Sequence, residues 1–115
     1  MPYILLHHSG CSTSRNGLAL LQENGIEPQI RKYMNAGDAL TVGELKQIAQ
    51  QLGVDSPRAF LRAKDAVKFE LTVTATDDEV YAAMVDNPRL IQRPIGLNDG
   101  KAALGRPIEQ LLEIA

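Results

Sequence analysis

Cys11 is the residue with the most chemistry to offer, set between Ser9-Gly10 and Ser12-Thr13-Ser14-Arg15. The thiolate is the nucleophilic form of cysteine, and nearby positive charge or a helix N-terminus lowers the pKa that governs it. Tyr3-Ile4-Leu5-Leu6-His7 is a short apolar run, and Ser12, Thr13 and Ser14 each offer a helix cap. Cys11 therefore falls where a strand ends and a helix begins. Free backbone N–H groups and the positive end of the helix dipole favour the thiolate there. Arg15 lies a turn further on and adds positive charge. His7, at the strand end, is placed to hydrogen-bond or pair with the thiolate. A free cysteine can also be a small core residue, but the strand-Gly-Cys-helix setting favours a reactive one.

Arg62, Arg93 and Arg106 extend the candidate site. Arg93 precedes Pro94 and Arg106 precedes Pro107. A residue before proline is held extended, which gives its side chain a defined direction. Guanidinium groups bind tetrahedral oxyanions in a bidentate way, so arginines near a thiolate would make a site for an anionic substrate. Singly, each also fits a surface salt-bridge residue, and spacing alone does not bring them together. A tyrosine-phosphatase-type loop is excluded, because Gly17 stands where that loop needs its arginine. No Gly-rich phosphate loop is present. His8 falls on the opposite side of the strand from His7 and reads as structural or exposed. No residues have the spacing of a metal site. Asp77-Asp78-Glu79 reads as the charge cluster of a helix start.

The elements that must position these residues follow from local patterns. The first strand covers Tyr3 to His7. A helix runs from the Ser12–Ser14 caps to Asn24, with Leu18, Ala19 and Leu21 inward and Gly25 as its stop. A second strand spans Glu27 to Tyr33. Thr41 and Glu44 form a capping box ahead of Leu45, Ile48, Ala49 and Leu52, and Gly53 ends that helix. Ser56-Pro57 opens a short helix through Phe60 and Leu61. Residues 64–74 carry mixed signals and receive no assignment. Thr76 and Glu79 form a second capping box before Val80, Ala83 and Met84, and Pro88 stops the helix. Asp99-Gly100 marks a tight turn between the strands 95–97 and 101–104. Pro107 opens a last helix with Ile108, Leu111, Leu112 and Ala115 on one face.

This order predicts an α/β chain: a thioredoxin/glutaredoxin-like four-stranded mixed sheet, with a helical insertion at about 41–86 between its β-α-β and β-β-α halves. The 115 residues suit one domain, 1–115. Hydrophobic residues at 44% and charged residues at 23% exclude a disordered chain. Twelve basic and fourteen acidic residues leave a net charge of −2, which argues against a nucleic-acid partner. No apolar run has the length of a membrane span or a signal-peptide core, so a cytoplasmic location with no membrane partner is expected. One cysteine cannot form a disulfide within the chain. If Cys11 is redox-active, the thiol that resolves it comes from another molecule.

Four segments taken together resemble the glutaredoxin-linked arsenate reductase family. They are His7-His8-Ser9-Gly10-Cys11-Ser12-Thr13-Ser14-Arg15-Asn16, Ser56-Pro57-Arg58-Ala59-Phe60-Leu61-Arg62, Asn87-Pro88-Arg89-Leu90-Ile91-Gln92-Arg93-Pro94-Ile95 and Gly105-Arg106-Pro107. They keep the family's order and spacing from the first strand to the last helix. The resemblance implies that Cys11 is the nucleophile and that His7 helps activate its thiolate. It implies that Ser14 and Arg15 are the family's Ser-Arg pair, and that Arg62, Arg93 and Arg106 bind the oxyanion. It also implies that the Arg93-Pro94 bond is cis. The chain lacks the C-terminal extension of many members and looks like the short subfamily.

The resemblance further implies reduction of arsenate to arsenite, with no bound cofactor or metal and glutathione as co-substrate, by a monomer. Cys11 would attack arsenic, glutathione would attack the adduct, and glutaredoxin would take the glutathionyl group as As(III) leaves. Two alternatives stand beside this. Cys11-Ser12-Thr13-Ser14 also fits a monothiol version of a Cys-x-x-Cys motif, and so a glutathione-linked thiol-disulfide oxidoreductase. A non-catalytic Spx-type regulator that binds RNA polymerase shares the fold, although Ser14 and the three arginines fit it less well.

Overall fold

The computed structural model describes residues 2–69, 71–72 and 74–115. The chain divides into two compact units, Met1–Asp38 with Arg93–Ala115, and Ala39–Gln92. The second unit contains the expected helical insertion and runs slightly beyond it at both ends.

The first unit is a thioredoxin-like sheet. Its strands are β1 (Ile4–Leu6), β2 (Gln29–Arg31), β3 (Ile95–Asn98) and β4 (Lys101–Leu104), in the order β2-β1-β3-β4. β1 pairs parallel with β2 and antiparallel with β3, and β3 pairs antiparallel with β4. The β1–β2 crossover is α1 (Ser12–Glu23). β2 is an edge strand, shorter than predicted, and Ile30 is partly exposed on it. The β3–β4 turn places Asp99 at φ 52° and Gly100 at φ 75°. Two positive φ values suit a tight hairpin, and Asp-Gly accepts them with little strain.

Tyr3, Leu5, Leu21 and Leu111 form the core of this unit, with Leu18, Ile26, Leu112 and Ile114 packed against it. Each fully buried leucine contributes about 1.5–3 kcal/mol of transfer free energy. Ala19, expected inward, is exposed; Ser14, Gly17 and Leu21 are the buried residues of α1. The reason is close packing. A Cβ on Gly17 would lie 2.9 Å from both Leu111 Cδ1 and Pro94 Cγ, so the buried face runs through Ser14, Gly17 and Leu21 and leaves Ala19 on the far side of the helix.

The last helix is a 3-10 helix, Ile108–Ile114. Its carbonyls have distant partners: the Tyr3 hydroxyl donates to the Leu111 carbonyl at 2.7 Å, and Asn98 Nδ2 to that of Ile114 at 2.6 Å. Burial pushes the Tyr3 pKa up to about 12, so it remains a donor at neutral pH.

The second unit holds α2 (Val42–Leu52), α3 (Ala63–Lys68) and α4 (Asp77–Asp86) with short 3-10 helices at Pro57–Phe60 and Pro88–Leu90. Both predicted capping boxes form, Thr41 with Glu44 and Thr76 with Glu79. Leu45, Phe60, Val80, Met84 and Leu90 are fully buried. The segments around Leu61 and Ile91 meet in an antiparallel bridge, flanked by bonds from Arg62 N–H to Leu90 O and from Gln92 N–H to Phe60 O. Arg58 Nη2 donates to the carbonyls of Thr72 and Ala75, which holds the loop ahead of α4.

Candidate active site

Sheet register gathers the candidate residues of the first unit. Arg31 pairs with Leu6, Leu6 with Ile95, and Ile95 with Leu104, which makes one row across the sheet. One step past that row lie His7, Lys32, Pro94 and Gly105, with Arg93 and Arg106 next. α1 starts at the same end, since the β1–α1 turn is short. The Arg93-Pro94 and Arg106-Pro107 peptide bonds are both cis.

Cys11 is the N-cap residue of α1, with extended backbone angles. None of the three predicted hydroxyl caps takes that position. The Cys11 N–H bonds the His8 carbonyl at 3.0 Å, which closes the turn after β1. The thiol is partly exposed. Burial works to raise its pKa, but the Ser14 N–H, the Arg93 guanidinium and the Thr13 N–H outweigh it by hydrogen bonding to the sulfur. The balance falls below the ordinary thiol value, so the thiolate is favoured.

Arg93 is buried, at 7% exposure. Arg106 is exposed and brings Nη2 to 4.0 Å from Cys11 Sγ, while its Nε donates to the Arg93 carbonyl at 3.1 Å. The sulfur thus has two guanidinium groups beside it.

His7 reaches this turn through Ser14. Its Nδ1 lies 2.8 Å from Ser14 Oγ, and Ser14 Oγ accepts the His8 N–H at 3.1 Å. Burial lowers the His7 pKa, and His8, Lys32 and Arg15 add to the effect. A neutral imidazole cannot form an ion pair with the thiolate. Its contact fixes Ser14, whose own N–H faces the sulfur.

Arg15 is exposed and donates from Nη1 to the Ser9 carbonyl at 2.7 Å, so it braces the loop ahead of Cys11. Arg62 belongs to the second unit. It stands ahead of α3 and pairs with Asp65, Nε to Oδ2, at 3.1 Å. Lys32 carries no signal in the sequence beyond its place near the end of a predicted strand, and the structure sets that strand beside β1. Among the described residues, no group of three or more His, Cys, Asp or Glu side chains gathers as a metal would require. No helix among them is long and apolar enough to cross a membrane.

Residues 6–114 match the ArsC family. The chain belongs to that family. This ArsC-family chain is 40% identical to the arsenate reductase of Haemophilus influenzae, over 99% of each chain. It is 42% identical to the Escherichia coli protein YfgD, over 96% of this chain and 93% of that one. Among solved structures it is similar to the arsenate reductase from Vibrio cholerae, with a TM-score of 0.90 and 43% identity over 100% of this chain and 98% of that chain. The ArsC match includes every candidate residue named above, from His7 to Arg106.

Proposed function

We propose that this chain is a cytoplasmic, monomeric arsenate reductase that uses glutathione and a glutaredoxin as its source of electrons. The observation that carries the reading is the Cys11 sulfur held by the Ser14 and Thr13 N–H groups and the Arg93 guanidinium, with Arg106 Nη2 at 4.0 Å. That set combines a nucleophile with donors for an oxyanion. The arsenate reductases of H. influenzae and V. cholerae, at 40% and 43% identity, support arsenate as the substrate.

In this mechanism Arg93 and Arg106 hold arsenate oxygens and offset the charge that builds as the nucleophile arrives. The Cys11 thiolate attacks arsenic, and an arsenic–oxygen bond breaks with hydroxide as the leaving group. Glutathione thiolate then attacks the Cys11 sulfur. The S–As bonding pair passes to arsenic, As(V) becomes As(III), and a Cys11–glutathione disulfide remains. Glutaredoxin takes the glutathionyl group and restores the Cys11 thiolate. The single cysteine of the chain fits an external resolving thiol. A role for Arg62 in holding the oxyanion rests on the sequence resemblance alone.

The test is arsenate-dependent NADPH oxidation coupled to glutathione, glutaredoxin and glutathione reductase, with Cys11→Ser run alongside. Turnover that is lost in Cys11→Ser supports the reading. A folded wild type with no turnover at millimolar arsenate sinks it.

A further inference from the structure

The first unit is polarised in charge along its strands. At the end that carries Cys11 lie Arg15, Arg31, Lys32, Arg93 and Arg106, with Asp38 as the first acid after β2 in sequence. The opposite end is acidic. Glu23 closes α1, Glu27 precedes β2, and Asp99 sits in the β3–β4 turn, with Lys101 as the base beside them. The whole chain is net acidic at −2, so the basic end is not a reflection of composition.

Three of the basic residues are left over from the proposed oxyanion chemistry, and one of them, Arg31, donates from Nε to the Asp38 carbonyl at 3.0 Å. Lys32 directly follows Arg31, whose carbonyl accepts the His7 N–H at 3.0 Å. It is exposed, and its charge is felt at His7. Arg15 is exposed on the first turn of α1 and donates from Nη1 to the Ser9 carbonyl. These two cations flank the turn on which Cys11 sits.

We infer that Lys32 and Arg15 form a docking site for the carboxylates of an anionic thiol, which selects the molecule that resolves Cys11. The inference rests on the proposed need for an external thiol and goes beyond it, because it assigns the selection to charge at the rim. Glutathione, with two carboxylates and one ammonium, has the right chemistry. A neutral or cationic thiol lacks it. Charge complementarity of this kind acts mainly on the rate of encounter and is screened by salt.

The experiment uses thiol exchange at Cys11 with no arsenate present. The full-length protein is converted to its Cys11 thiopyridyl disulfide. An attacking thiolate forms a new S–S bond to the Cys11 sulfur, and the old S–S pair leaves with thiopyridone, whose absorbance is followed. Rate constants per thiolate are measured for glutathione, neutral mercaptoethanol and cationic cysteamine, each normalised to the same reaction of a small thiopyridyl disulfide. At low ionic strength the normalised order is glutathione, mercaptoethanol, cysteamine. Lys32→Glu lowers the preference for glutathione over mercaptoethanol about fivefold, the order expected for reversing one solvated charge beside a bound carboxylate. Lys101→Glu makes the same charge change at the far end and leaves the preference as in wild type. In about 1 M salt the preference collapses. The inference is overturned if Lys32→Glu and Lys101→Glu behave alike, or if the preference survives high salt. Arsenate turnover is scored separately, so a chain with the thiol preference but no arsenate reduction defeats the proposed function and leaves this inference standing.

Discussion

Arg106 is tied to Arg93 by its own side chain: Nε donates to the Arg93 carbonyl at 3.1 Å. The same guanidinium presents Nη2 to Cys11 at 4.0 Å. The two bonds leave from different nitrogens of one planar group, so the position of the Arg93 backbone fixes the plane that faces the sulfur. Arg106 is exposed, yet its fork is oriented before any anion arrives. An oriented fork loses less freedom on binding than a flexible ammonium does.

Arg106→Lys is therefore not conservative. Lysine keeps the charge but cannot hold the Arg93 carbonyl and face the sulfur at once. A charge-assisted hydrogen bond is worth about 1.5–3 kcal/mol, so kcat/KM for arsenate is expected to fall about ten- to a hundredfold. Steady-state kinetics on wild type and variant check this. A change under twofold would remove Arg106 from the site.

Cys11 should titrate below the ordinary thiol range, since donors from Ser14, Arg93 and Thr13 outweigh its burial. Arg93→Met removes one donor and its charge while keeping an apolar stem of similar length. Its Cys11 pKa is expected to rise towards the free-thiol value of about 8.5. Ultraviolet thiolate absorbance against pH measures both. The linkage has a definite sign. The folded pKa lies below the unfolded one, so the thiolate stabilises the fold above about pH 8.5. That contribution fades as pH falls through the folded pKa, and it is smaller in Arg93→Met.

Local determinants were legible in the sequence and distant ones were not. Thr41–Glu44, Thr76–Glu79 and Asp99-Gly100 each specify a feature within a few residues, and each feature forms. Helix α3 carries little sequence signal because only Ala66 marks its buried face, while its largest apolar residue, Val67, is 79% exposed. Ala19 faces outward because the inward side of α1 runs through Ser14, Gly17 and Leu21, where Pro94 and Leu111 close on Gly17. The site divides in the same way. Cys11 at a helix start and arginines ahead of prolines can be read from residue types. The bonds from Arg106 to Arg93 and from His7 to Ser14 depend on where separate segments meet.

His7 is expected to make the protein less stable to acid. Its pKa is lowered by burial and by the charges of His8, Lys32 and Arg15. Below about pH 6.5 the unfolded chain takes up a proton that the folded chain refuses, so stability falls with pH in that window. His7→Asn places a non-titrating amide within reach of Ser14 Oγ. Urea unfolding between about pH 7 and 5 should show a shallower loss of midpoint in the variant than in wild type. Parallel curves would mean that the acid sensitivity belongs to other groups.

Gly17 and Gly43 both lie in helices, and alanine should act on them in opposite directions. At Gly17 the new Cβ meets Leu111 Cδ1 and Pro94 Cγ, each at 2.9 Å. α1 would have to move off the Pro94 segment, with an expected cost of about 1–3 kcal/mol. Such a shift would also displace Cys11 relative to Arg93, so arsenate turnover should fall together with stability. At Gly43 the Cβ meets nothing closer than Thr41 Oγ1 at 3.9 Å, and the residue is exposed. There alanine restricts the unfolded chain and favours the helix, for a gain of about 0.5–1 kcal/mol. Denaturant unfolding and turnover of the two variants separate the cases: Gly43→Ala raises the midpoint at unchanged activity, and Gly17→Ala lowers both. Equal effects at the two positions would show that helix propensity, and not the contact with Pro94, sets the requirement for glycine in α1.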